Sequence, residues 1–290
     1  MNKLLSLVLS AGGALAGSLA GGMAGAQTPA VNPMPDGSRD MYVGLGVQSA
    51  PRYEGTGSRK VSALPVLQVE WSNGVFISGM SAGMHLSNSP TVEYGPLLAV
   101  KPGRDNSGNG NEIGNLNSFV APAPIPGEKF RTMPGGLAGM DEIGARLQAG
   151  GFYNIYLSPQ WRLTSSLLFG AGREHDGARL DLDVQRLAVA AGERHRVSLA
   201  AGLGIVNRRY NETYFGVTEA EAIRSRFGAY APGGGVQDVH LGARWNWALT
   251  PSWMLTSSLQ AKRLLGDASH SPLVERSTNL TVSSAVAYRF

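Results

Sequence analysis

No cysteine occurs among the 290 residues. Disulfide scaffolds and thiolate metal sites are therefore excluded, and an exported chain of this kind must be held by a core or by a closed sheet. Charge is also scarce, at 16% of residues, and 25 Lys and Arg against 21 Asp and Glu leave a formal net charge of +4. So even a balance points to no nucleic-acid partner. Beyond residue 26 no run of eighteen apolar residues occurs, which argues against an inner-membrane helical protein. The five His, at 85, 175, 195, 240 and 270, lack the spacing of a metal site, and neither metal nor cofactor is expected.

Glycine is plentiful, with 39 copies, and the mean hydropathy is -0.08. A membrane β-barrel averages an apolar outer and a polar inner face to such a middle value. A secreted β-sandwich gives similar numbers, so patterning has to decide.

The start of the chain reads as a signal peptide over residues 1–26. Asn2 and Lys3 precede the apolar stretch Leu4 to Leu9, and Ala24-Gly25-Ala26 forms an A-x-A cleavage site. Residues 27–39, with three prolines, read as an unstructured lead-in, and residues 40–290 as one domain.

Within that domain, segment after segment alternates with period two. Leu280, Val282, Val286, Tyr288 and Phe290 oppose Thr281, Ser283 and Arg289; Val239, Leu241, Ala243, Trp245 and Trp247 oppose Asp238, His240, Arg244 and Asn246. Trp253, Leu255, Leu259 and Ala261 oppose Thr256, Ser258, Gln260 and Lys262, and the pattern recurs upstream through Met41 to Val47 and Val61 to Trp71. Arg186 breaks it by continuing the apolar parity of Leu180 to Val184, as a bulge or the membrane boundary would allow.

Tight connections such as Thr250-Pro251 alternate with long ones over 210–235 and 266–278, and the stretch 102–140 reads as a long loop. Aromatics gather beside the short turns as an interfacial girdle would. The expected fold is all-β, a closed antiparallel transmembrane barrel of the outer membrane. Eleven segments are countable, and because such single-chain barrels have an even number of strands the expectation is 12, with 10 as the alternative.

The inner face is read as a lumen lined by Glu142, Arg146, Arg162, Asp181, Asp183, Arg196, His240, Arg244 and Lys262. Two interpretations stay open: a structural charge network that plugs the barrel, and a small, mildly anion-favouring pore. His175-Asp176-Gly177 is read as a turn rather than a catalytic pair, since Gly tolerates positive φ. Gly233-Gly234-Gly235 precedes a strand and lacks the helix N-terminus of a phosphate loop. Tyr288 and Phe290 on the last strand are read as the signal for the barrel-assembly machinery.

A family likeness rests on ordered motifs: Tyr42-Val43-Gly44-Leu45-Gly46-Val47, Pro51-Arg52-Tyr53-Glu54-Gly55, Ala63-Leu64-Pro65, Gly103-Arg104, His175-Asp176-Gly177, Tyr214-Phe215-Gly216-Val217, Leu265-Gly266-Asp267-Ala268 and Ala287-Tyr288-Arg289-Phe290. Together they resemble the MipA/OmpV family, although the segment from Asp105 to Met140 is longer and richer in Pro than the family pattern. The resemblance implies an outer-membrane barrel that is not an enzyme and is embedded in outer-membrane lipid. In one branch it implies a scaffold binding a lytic transglycosylase and a murein synthase. A small-solute channel is the alternative, and an outer-membrane lipase or deacylase a third reading, against which His240 falls on the inner parity.

Overall fold

The computed structural model describes residues 39–87, 89–105, 108–109, 136–170, 177–190 and 194–290, with backbone alone for 108–109 and 187–190. Residues 1–26, read as a signal peptide, residues 27–38 of the stretch read as a lead-in, and His175 and Asp176 lie outside the described residues. Strand β1 (Arg39–Pro51) is followed by β2 (Arg59–Trp71), the short pair β3 (Val75–Ser78) and β4 (Ser81–Met84), and β5 (Val92–Lys101). A two-stranded ladder, β6 (Arg104–Asp105) and β7 (Gly108–Asn109), precedes β8 (Arg146–Ser158), β9 (Trp161–Gly170), β10 (Ala178–Ala190) and β11 (His195–Val206). Helices α1 (Arg208–Phe215) and α2 (Glu219–Arg224) then lead to β12 (Gly235–Ala248), β13 (Trp253–Leu264), α3 (Gly266–His270) and β14 (Thr278–Arg289).

Apart from β6 and β7, each strand pairs antiparallel with its neighbours, and β14 returns to β1 from Tyr42↔Arg289 to Ser49↔Val282. The result is a closed barrel of twelve strands, which leaves no sheet edge to unravel. The strand missing from a count of eleven comes from Gly74 to Met84. That segment is two four-residue strands reversed at Gly79, whose φ is +61°. Four residues are too few for alternation to register in a sequence.

Large apolar side chains stand exposed on one face of nearly every strand, as in Leu45 (64%), Leu241 (63%), Leu98, Leu147, Phe169 and Leu199. The opposite face buries Gln48, Gln68, Gln148, Gln185, His240, Arg244 and Thr256. That inversion of a soluble protein is the arrangement a bilayer demands. Arg186 keeps to the outer face, and the register between β10 and β11 shifts directly after it.

Ile143 and Ala145 continue the apolar parity of Leu147, as an earlier start to the strand would require, yet β8 begins at Arg146 and runs through the Gly150-Gly151 pair to Ser158. Ile143 is instead buried in a bridge to Arg104.

Pro65 sits in the middle of β2, where a proline normally breaks a ladder. The Leu67 carbonyl accepts from the Gly79 N–H at 2.8 Å, so the backbone groups of residue 67, and those of residue 65 two positions away, point toward β3. Pairing with β3 covers only Gln68, Val69 and Glu70. The missing N–H of Pro65 therefore costs no ladder bond. Where β1 meets β14 the walls approach closely: a Cβ on Gly44 would come within 2.9 Å of the Ala287 Cβ, and Leu64, Val66, Ala285 and Ala287 pack there against Tyr42 and Met254.

One end of the barrel carries the short connections 72–74, 85–91, 159–160, 191–194 and 249–252, together with the start of β1 and the end of β14. The other end carries the long ones, and their described parts fold into a cap. Tyr53, Leu137, Met140, Val217, Phe227 and Leu273, drawn from separate connections, share one core, and Phe215, Leu264 and Ala268 share another. Each fully buried apolar side chain of that size contributes about 1.5–3 kcal/mol. Thr218 and Glu221 start α2 with a reciprocal capping box. The segment 210–235, expected as a loop, is thus largely ordered structure.

Candidate functional site

Antiparallel register places Asp183 of β10, Gly202 of β11, His240 of β12, Lys262 of β13 and Asn279 of β14 on one row across the inner wall. The adjacent row carries Asp181, Gly204 and Asp238. Because Gly202 and Gly204 have no side chains, groups on β10 and β12 meet over β11. His240 Nε2 lies 2.7 Å from Asp183 Oδ1, and His240 Nδ1 lies 3.0 Å from Asp238 Oδ1. With a carboxylate at each ring nitrogen, the protonated imidazolium is the form that satisfies both contacts.

Arg179 at the head of β10 completes the cluster. Its Nε donates to Asp181 Oδ1 and Oδ2 at 2.9 Å each, and its Nη2 donates to Asp238 Oδ2 at 2.8 Å. It also donates to Gln237. A register shift between Gly204 and Ile205, facing β12, leaves Gln237 and Asp238 both inside although they are consecutive. Asp238 is 0% exposed, which is tolerable only because its oxygens are bonded on both sides.

Two links tie this wall to the cap: Gln237 Nε2 donates to Asn211 Oδ1 of α1 at 3.0 Å, and Lys262 Nζ donates to Glu54 Oε1 of the β1–β2 loop at 2.9 Å. Arg104 Nη1 of β6, outside the barrel wall, donates to the Tyr214 carbonyl at 2.7 Å. Lys101 donates to the Tyr210 hydroxyl and lies 3.3 Å from the centroid of the Tyr214 ring. Burial pushes the pKa of the Tyr210 hydroxyl up, so the phenol stays neutral and accepts.

The sequence-derived set is therefore dispersed. Asp181, Asp183, His240 and Lys262 come together. Arg162 sits apart, with Nη2 donating to Gln185 Oε1 at 2.8 Å and Nη1 to Tyr156 Oη at 3.2 Å. Arg146 faces Lys101 across β5 and β8, and Arg244 is buried four positions along β12 from His240. Arg196 is exposed near the short-turn end, and Glu142 is exposed ahead of β8, outside the strands. Tyr288 packs edge-on between Trp253 and Phe290, with centroids 5.0 and 4.8 Å away.

Sequence reasoning missed Arg179, Gln237, Glu54 and Asn211 as members. Only inner parity could have flagged Arg179; nothing local marks loop residues that fold back. For serine chemistry the arrangement is unsuited, since both His240 nitrogens are occupied by carboxylates and none is left to take a hydroxyl proton. Gly177 does adopt the left-handed conformation, at φ +82°, that the turn reading of its tripeptide requires.

A sequence model of the family described as "MltA-interacting protein MipA" matches residues 43–290. The outer membrane protein OmpV of Vibrio cholerae and Omp26La of Vibrio anguillarum are each 33% identical over 90 residues, 31% of this chain and 34% of theirs. The chain thus spans about a third of the length of the curated relatives it matches. Among solved structures, the N-terminal β-barrel domain of Pseudomonas aeruginosa OprF is similar at 18% identity and a TM-score of 0.24, covering 50% of this chain and 88% of that one. The Pseudomonas putida toluene transporter TodX is similar at 9% identity and a TM-score of 0.35, covering 91% and 95%. The match over 43–290, on a closed barrel with an apolar outer face, makes this chain a member of the MipA/OmpV family of outer-membrane β-barrels.

Proposed function

We propose that this protein is an outer-membrane scaffold whose inner polar residues lock a cap onto the barrel, and whose short-turn end presents a surface to a murein-remodelling enzyme. The observation that carries the reading is the bonding of wall to cap through Lys262–Glu54 and Gln237–Asn211. Charges paired across a narrow lumen favour a plug over an open path. The family description supplies the class of partner, a protein named MltA, and short turns are the periplasmic side of such barrels. In this reading Asp181, Asp183, His240 and Lys262 are structural lumen residues.

A second reading, passage of a small solute, draws on Gln148 Nε2 and Arg162 Nε, buried donors with no acceptor among the described residues. Such groups welcome an acceptor-bearing solute. Planar-bilayer recording of the purified protein, paired with co-purification against a lytic transglycosylase, tests both. Electrical silence with retention of the enzyme is expected; steady single-channel steps without retention would overturn the scaffold.

A further inference from the structure

The outer face of β9 to β14 at the short-turn end is an arc of aromatic side chains. Trp161, Trp245, Trp247, Trp253 and Tyr288 all lie on it, with ring contacts joining Trp245 to Trp247 at 5.9 Å and Trp253 to Tyr288 at 5.0 Å. Arg186 places a full charge within the arc. Its guanidinium lies over the indole of Trp161, its direct register partner on β9, with 5.8 Å to the ring centroid. Among the described residues no carboxylate pairs with it. The register of β10 with β11 shifts just past Arg186.

An arginine on a lipid-facing strand is costly near the midplane and cheap at the interface, where its charge reaches the headgroups. Cation–π attraction holds the guanidinium beside the indole while its N–H groups stay available, and they form the fork that recognises two oxygens of one phosphate. Simple snorkelling into water needs neither the paired tryptophan nor the register shift. We infer that Arg186 and Trp161 form a binding site for the headgroup phosphate of an anionic phospholipid in the leaflet at the short-turn end.

Native mass spectrometry of the full chain released from micelles doped with phosphatidylglycerol or phosphatidylcholine tests the site. The wild type is expected to retain phosphatidylglycerol preferentially, and Arg186→Gln to lower that occupancy about fivefold, the effect of one interfacial cation. Trp161→Leu keeps the site apolar and removes the cation–π partner, so it should also reduce retention; it serves as the deciding variant if Arg186→Gln does not insert. Arg263→Gln, on the outer face at the cap end, should change nothing. Equal retention of the two lipids by the wild type, or undiminished phosphatidylglycerol in both Arg186→Gln and Trp161→Leu, would overturn the assignment.

Discussion

Asp183 and His240 are 2.7 Å apart although their strands are not neighbours, and the contact exists because Gly202 stands between them. A cross-strand pair ordinarily involves adjacent strands. Here a side-chain-free position in β11 lets a buried ion pair span three strands and reach on to Asp238 and Arg179.

Replacing His240 by Leu removes the cation from between two carboxylates. Breaking one side of a buried pair costs about 3–5 kcal/mol, so the denaturant midpoint for loss of the folded, heat-modifiable form should fall. Adding Asp183→Asn to His240→Leu should recover part of that loss, because it removes one stranded charge. Strict additivity of the two changes would show that the pair is not coupled.

Gly202→Ala tests the same device by crowding. A Cβ there would run into the Asp183 carboxylate, and one on Gly204 would come within 2.7 Å of Asp238 Oδ2. Overpacking of this kind costs about 1–3 kcal/mol. Gly228→Ala, which meets nothing within 4 Å, is the control and should leave thermal stability unchanged.

The two faces should respond differently to charge. Leu241→Arg or Leu199→Arg on the exposed apolar face should cost about 2–4 kcal/mol where the residue lies near the midplane. Gln260→Lys on the inner face, opposite the side-chain-free Gly242, should cost less. Refolding into lipid vesicles across a denaturant series measures both, and equal costs would refute the assignment of faces.

The cap should loosen in acid through Glu221. Burial pushes this carboxyl up, yet hydrogen bonds from the Thr218 and Asp141 N–H groups and the Thr218 hydroxyl outweigh it and hold the pKa below the ordinary value. A depressed acid contributes stability that is complete above the unfolded value, about 4.3, and is lost as pH falls through the folded one. Amide protection factors in α2, taken against the intrinsic exchange rate at each pH, should therefore be steady from neutral pH down to about 5 and fall below about 4. Glu221→Gln, which can still close a capping box, should flatten that dependence.

Legibility from sequence follows the range of the interactions. Strands such as β12 and β14 were plain because one face meets lipid and the other does not, and a period of two follows from the backbone alone. The β3 and β4 pair was hidden by its brevity, and the latter part of β8 by glycines that carry no hydropathy signal. Of the charged cluster, Asp181, Asp183, His240 and Lys262 could be placed on the inner face from parity.

Which of those inner residues touch was beyond the sequence. Parity says that Asp183 and His240 face inward; only register through Gly202 brings them to 2.7 Å, while Arg196, of the same parity, ends exposed. The bulge that turns Gln237 and Asp238 inward together, and the return of Glu54 to Lys262 from a loop 208 positions away, are likewise decisions of the closed sheet and its cap. Alternation is a local property of one strand in two solvents, and the sequence by itself determined it. Partner choice depends on how twelve strands are staggered around a ring, and only the tertiary structure sets that stagger.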